Sequence, residues 1–450
     1  MSAAQTVYVD DLIDRQQLTG RTYLQLGLLL VALLCDGFDL QLVGVAAPWL
    51  ADAWNLKPSQ LVGPVQSANL FGMMLGAIFL GGLGDRLGRK RIIVAGAMLF
   101  GLSTLACLLT SNVTELSAVR FLTGVGLGGV LPNVIALAAE SAPRAKRAMV
   151  TSIVIIGMSL GSGMPGVVAA KLIPAYGWES LFIVGGVLPL VIALLLALLL
   201  PESLLFLTNR AKDRAQIERR VRALDPQLAI DGATRFALQG SGSMGKGNFA
   251  DLFAPGLRLT TPMLWLMFAG VLLSMHFLNS WISTLLKLAH LSPEQFSLTN
   301  SVFHWSGTIA AIFTALLLGR LGLRWVLVLL SIGVASLVTI ASFGFSSTLV
   351  LTLAVCFAGF GTIGCQGALN ASAGLIYPPS CRTTGVGAAL GLGRIGSLAG
   401  PLVGGMVLDS GVPVQQMFYV PVLPLGVAMI ATLVLVLRKV DVRGEAGAAH

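Results

Sequence analysis

"GDRLGRKR" occupies residues 84–91, and "GRLGLRW" occupies residues 319–325. Each is a short basic stretch between two long apolar runs. Aligned on their shared "RLG", they pair Arg86 with Arg320 and Gly88 with Gly322, an offset of 234. A second pair, "PRAKR" at 143–147 and "PPSCR" at 378–382, repeats a Pro-x-x-x-Arg pattern at an offset of 235. Two independent matches at nearly one offset indicate a duplicated unit. Parallel repeats of this kind place a substrate site between the halves, near the bilayer midplane.

The sequence around these loops is too apolar for water. Of 450 residues, 55% are hydrophobic and 11% charged, whereas soluble domains carry about 25% charged residues. A membrane-spanning helix needs about 20 apolar residues. Twelve such runs are legible: 22–47, 59–83, 91–110, 114–139, 148–173, 178–200, 260–287, 293–318, 324–344, 347–376, 384–408 and 414–438. The long polar gap between them holds a basic amphipathic helix, "NRAKDRAQIERRVRAL", and a flexible linker, "GSGSMGKGN". The reading is an all-α membrane protein with a polar tail (1–21), a six-helix bundle (22–200), a central loop (201–259), a second six-helix bundle (260–438) and a final tail (439–450).

Lys and Arg set the orientation. With the N-terminus inside, the inside segments carry 24 of them, the outside loops carry Lys57, Lys171 and Lys287, and Arg120 and Arg394 lie within spans. Both termini and the central loop are therefore expected in the cytoplasm, in a plasma (inner) membrane. The same bias accounts for the net charge of +9 without a nucleic-acid partner. The five cysteines show neither paired nor metal-ligand spacing, so free thiols and no metal are expected. No phosphate-binding loop or nucleophile dyad is legible. "GLGRIG" (391–396) follows no strand and is a chance match to a dinucleotide motif. The expectation is a monomeric carrier with no cofactor, not an enzyme.

"GGLGDRLGRKR" (81–91) resembles the loop signature of the major facilitator superfamily, with Gly81, Asp85, Arg86, Gly88 and Arg89 in register. "RFLTGVGLGG" (120–129) is similar to that superfamily's helix 4 pattern. With twelve spans, the resemblance covers essentially the whole chain and implies the major facilitator fold. A narrower likeness rests on "DGFDLQ" (36–41), "RFLTGVGLGGVLPNVIALAAE" (120–140), "PES" (201–203) and "GLGRIGSLAGPLVGG" (391–405). These resemble the aromatic acid:proton symporters, nearest to the hydroxyphenylpropionate-type transporters. That likeness implies inward uptake of an aromatic carboxylate, hydroxyphenylpropionate- or hydroxybenzoate-like, together with protons. It supports Asp36, Asp39, Arg120 and Arg394 as the embedded charges. The second loop departs from the signature, with Gly319 where the first has Asp85. A latch there is weaker or built differently.

An aspartate at the centre of a membrane helix costs roughly 2.5–3.5 kcal/mol. Asp36 and Asp39, three residues apart, share one helix face. Asp39 lies about 12 Å below the outer end of helix 1 and Arg120 about 9 Å below that of helix 4, so a pair between them is possible. Arg394, near the middle of helix 11, offers a planar fork to a carboxylate. The functional reading is a proton-coupled anion site in which the aspartates carry protons and Arg394 holds substrate. His276 and Asn279 on helix 7, His304 on helix 8, Asn133 on helix 4, and Gln366 and Asn370 on helix 10 are candidates for further substrate contacts. Each also has a plainer reading as a tie between helices. Glu140 and Arg147, flanking the loop after helix 4, join Asp85 and Arg89 as gate candidates. A proton-driven exporter of small organic compounds and a symporter of sugar or another organic anion remain open; a buried Arg394 favours an anion.

Overall fold

The computed structural model describes residues 6–440, apart from 17, 211–213, 226–227, 229, 231–233, 240–248 and 379. Among the described residues, twelve helices are long and apolar enough to cross a membrane. They are α1 (Gly20–Ala53), α2 (Pro58–Leu87), α3 (Arg89–Ala106), α4 (Val113–Glu140), α5 (Arg147–Tyr176), α6 (Glu179–Leu199), α7 (Thr260–Leu288), α8 (Pro293–Leu321), α9 (Leu323–Phe343), α10 (Thr348–Ile376), α11 (Arg382–Asp409) and α12 (Val422–Leu437). The last span, expected as one helix from 414, begins as a 3-10 turn (Val414–Tyr419) and restarts at Pro421. Proline has no N–H to donate but is tolerated where a helix begins.

The duplication is visible in the helix ends. Pro58 and Pro293 each open a helix, a proline position that needs no amide donor. Gly88 and Gly322 each close a helix at positive φ, +111° and +58°, a conformation that glycine adopts without the Cβ penalty. Within the first half α1 packs on α5, α2 on α4, and α3 on α4 and α6. Within the second α7 packs on α11, α8 on α10, and α9 on α10 and α12. Across the halves α2 meets α11, α5 meets α8, and α1 meets α7. The α2–α4 contact is the tightest kind. Gly72 and Gly76 abut the backbone at Phe121 and Val125, and Gly124 and Gly128 abut the backbone at Asn69 and Met73. A methyl group at any of the four would collide with backbone, so small residues permit this approach.

The start of α1 and the end of α12 lie on one side, here the terminal side. There the first tail and the central loop form one small module. Thr6–Tyr8 pairs in parallel with Arg235–Ala237, a two-stranded addition to the all-α expectation. Short helices at Val9–Arg15, Leu204–Asn209 and Arg214–Leu224 bury Val9, Ile13, Leu204, Leu207, Ile217 and Val221 against one another. The expected amphipathic helix is thus present as Arg214–Leu224. The "GSGSMGKGN" linker and residues 441–450 lie outside the described residues.

The halves touch on the far side and part on the terminal side. Lys287 donates to Pro48 O at 2.7 Å and pairs with Asp52. Ser59 donates to Asp409 at 2.7 Å, Ser67 to Leu398 O at 3.1 Å, and Trp305 Nε1 to Leu160 O at 3.2 Å. Among the described residues, every hydrogen bond between membrane helices of the two halves lies at the far end or middle of the spans. Toward the termini, Gly387 and Gly391, beside Arg394 on α11, have no neighbour within 4 Å of a Cβ. The same holds for Gly367 and Gly374 on α10, which share a face with the exposed Asn370. An exposed amide at membrane depth faces water rather than lipid. The molecule is open toward the terminal side.

Candidate functional site

The embedded charges fall into two unlike settings. In the first half, α1 brings Asp39 against Thr104 of α3 and Arg120 of α4. Arg120 donates through Nη2 to Oδ2 at 2.8 Å and through Nη1 to Oδ1 at 3.1 Å, and Nη2 also reaches Asp39 O at 3.2 Å. Thr104 donates to Oδ1 at 2.5 Å. Asp39 and Arg120 are 0% exposed. The pair that helix depth allows is present, in the two-point geometry that suits guanidinium and carboxylate. Asp36 lies three residues nearer the terminal side. It is also 0% exposed, yet neither carboxyl oxygen has a hydrogen-bond partner among the described residues.

In the second half the cation is free. Arg394 is half-buried and makes no hydrogen bond or ion pair among the described residues. It lies within electrostatic reach of His276. The Nδ1–H of His276 donates to Leu272 O at 2.9 Å, which leaves Nε2 unused. Asn279, one turn on, keeps its Oδ1 buried without a donor. Its backbone abuts Gly44 of α1, where Gln66 Nε2 of α2 also arrives. His304 on α8 is 4% exposed, stands edge-on to Phe303 at a ring distance of 5.2 Å, and has an unpartnered Nε2. Gln366 is half-buried and Asn370 exposed on α10.

Two further candidates are held within the first half. Asn133 bridges helices instead of facing the opening. Its Nδ2 donates to Leu80 O of α2 at 3.3 Å and to Gly129 O at 2.8 Å, and its Oδ1 packs against Gly84. It belongs with the gate loop, because glycines along α2 and α4 bring the backbones within an amide's reach. Arg147 is engaged by the N-terminal tail: it donates to Asp14 at 3.4 Å and to Ala142 O at 3.1 Å, while Asp14 also pairs with Arg144 at 3.1 Å. The gate loop itself is a relay within the first half. Asp85 pairs with Arg89 at 2.5 Å, and Arg89 with Glu140 at 3.3 Å. Gly81 sits against Pro132, and Arg86 is exposed.

Sequence reading missed four buried amides. Asn69 is 0% exposed with both side-chain polar atoms unpartnered. Gln41 and Asn300 each have an unpartnered carbonyl oxygen, although Asn300 donates to Ser283 at 3.1 Å. Gln66, beside Asn279, is the fourth. A buried polar group without a partner costs about 1–3 kcal/mol. An amide inside an apolar run was the available signal, weighed only for some positions. The Trp281 indole donates to Pro401 O at 2.9 Å and that of Trp305 to Leu160 O, so both rings tie helices together. The five cysteines are free.

A family profile described as Major Facilitator Superfamily matches residues 29–289 and 264–449. The gallate transporter of Pseudomonas putida is 36% identical over 94% of this chain and 94% of its own. The 3-(3-hydroxy-phenyl)propionate transporter of Escherichia coli (strain K12) is 32% identical over 94% of this chain and 96% of its own. Among solved structures, the inward open conformation of the xylose transporter XylE from E. coli superposes with a TM-score of 0.70. It is 15% identical and covers 95% of this chain and 98% of that one. Twelve spans in two matched halves, a gate loop repeated with its positive-φ glycine, and relatives that are transporters along nearly their whole length lead to one conclusion: the chain belongs to the Major Facilitator Superfamily.

Proposed function

We propose that this protein imports an aromatic carboxylate, hydroxybenzoate- or hydroxyphenylpropionate-like, together with protons by alternating access. The termini face the cytoplasm of an inner membrane, and the unit is a monomer. One observation carries the reading: an unpaired Arg394 beside the opening in one half, and an unpaired Asp36 in the other. An isolated buried charge is expensive. A cation without a partner suits an anionic cargo, and a carboxyl without a donor suits a proton. Arg394 takes the substrate carboxylate through its fork. On this reading His276 Nε2 and the amides of Asn279 and Gln66 bond the ring hydroxyls. Asp36 gains and loses the proton as the halves rock, and the Asp39–Arg120 pair fixes α1 against α3 and α4. The names of the relatives support an aromatic acid as cargo.

Uptake into cells expressing the protein tests this. Labelled 4-hydroxybenzoate, gallate and 3-(3-hydroxyphenyl)propionate are compared with a sugar and a cationic dye. The expected result is accumulation of the acids alone, abolished by a protonophore. Accumulation that survives collapse of the pH gradient removes the proton, and movement of the dye alone removes the carboxylate.

A further inference from the structure

We infer that the first half carries a site for the phosphate of an anionic phospholipid, in the leaflet on the terminal side. A groove of about 490 Å3 lies where α3 begins and α6 ends, lined by Lys90, Arg91, Glu202, Phe206, Arg219 and Arg220. Four cations thus surround one acid. The acid and two of the cations are already engaged: Glu202 accepts from the Lys90 amide at 3.1 Å, Lys90 Nζ donates to Ala197 O at 2.7 Å, and Arg220 donates to Glu202 O at 2.7 Å. Arg91 and Arg219 are exposed and make no hydrogen bond or ion pair among the described residues. Two guanidinium groups are therefore available to one anion, the geometry that phosphate favours.

What selects a lipid over a free anion is the surface that leads to the groove. Arg91, Ala95, Met98 and Leu102 are exposed at helical spacing and form one stripe along α3. Val187, Val191, Leu194 and Leu198 form a second along α6. The two helices pack together at Gly101 and Gly186, so the stripes run side by side. From Ala95 and Val187 on, both are apolar across about the depth of one leaflet and end at the basic groove. Acyl chains fit the stripes while the phosphodiester meets Arg91 and Arg219. A phosphatidylglycerol headgroup brings net negative charge; phosphatidylcholine brings a compensating ammonium. A soluble phosphate has no use for the stripes. Seating this headgroup holds the helix Arg214–Leu224 at the membrane surface. The inference rests on the fold and is independent of the cargo of the central opening.

Native mass spectrometry of the full-length protein in detergent, with equimolar phosphatidylglycerol and phosphatidylcholine, tests it. Wild type is expected to retain phosphatidylglycerol preferentially. With each basic residue near the surface contributing as usual, Arg91→Gln with Arg219→Gln weakens that retention about thirtyfold. The double lysine variant, Arg91→Lys with Arg219→Lys, keeps most of it. Equal retention of the two lipids by wild type overturns the site, and that comparison needs no variant to fold. Undiminished phosphatidylglycerol on a monodisperse glutamine variant overturns it as well. If millimolar inorganic phosphate displaces the lipid fully, the groove is a soluble-anion site and the lipid assignment is wrong.

Discussion

The two halves share one helix plan but treat charge in opposite ways. The first half closes its embedded cation on an acid of its own: Arg120 and Asp39 bond at two points and are 0% exposed. The second half leaves Arg394 half-buried, unpaired and beside the opening. The gate loops differ likewise. The first holds the Asp85–Arg89–Glu140 relay, and the second has Gly319 at the position of Asp85. Duplication supplied the scaffold, and divergence divided the work. On the proposed function, the first half holds a fixed electrostatic structure beside Asp36 and the second accepts the anion.

The largest expected effect breaks this comparison directly. Arg120→Ala strands Asp39 in a dry interior, and removing one partner of a buried pair costs about 3–5 kcal/mol. Arg394→Ala strands nothing and should leave the melting temperature in detergent near wild type. Equal destabilisation by the two substitutions would mean that Arg394 also has a structural partner.

Binding should show the reverse preference. Arg394→Lys keeps a charge but loses the fork, and a charge-assisted hydrogen bond is worth about 1.5–3 kcal/mol, so affinity for 4-hydroxybenzoate should fall on the order of 10- to 150-fold. Calorimetry on purified protein reads this. Normal binding would move the carboxylate to another partner. A finer test separates ring from carboxylate. Asn279→Ala removes one neutral hydrogen bond, about 0.5–1.5 kcal/mol, and should weaken 4-hydroxybenzoate by roughly 2- to 12-fold while leaving benzoate unchanged. Equal losses for both acids would make Asn279 a helix tie.

Asp85→Asn should have the smallest effect on affinity. The relay lies at the terminal end, away from Arg394, so the substitution should slow turnover and leave affinity from the far side unchanged. A collapse of affinity would place Asp85 in the binding site.

The architecture was legible because lipid imposes a coarse rule: backbone polar groups must pair within a helix, and side chains must be apolar for about 20 residues. Violations of that rule then stood out, which is why Asp36, Asp39, Arg120 and Arg394 were found. The depth argument for Asp39 and Arg120 succeeded because helix rise is nearly constant. For Asn133 the sequence left substrate contact and helix tie both open, because its azimuth is set by the glycine-lined crossing with α2. Asp14 was missed as the holder of Arg147 because that contact joins the N-terminal tail to a loop far along the chain, and no local periodicity records it. Asn69, Gln41, Gln66 and Asn300 were overlooked because neutral amides perturb hydropathy far less than charges do.

The central claim is that Asp36 carries the coupled proton, and one measurement on Asp36→Asn reaches it most directly. The amide keeps the volume of the acid but binds no proton. In proteoliposomes, labelled 4-hydroxybenzoate is followed in two ways: accumulation driven by an imposed pH gradient, and counterflow exchange at equal pH. The account predicts that gradient-driven accumulation disappears while exchange persists, because exchange need not release the proton. A well-folded Asp36→Asn protein that still concentrates the acid on a pH gradient would contradict the account.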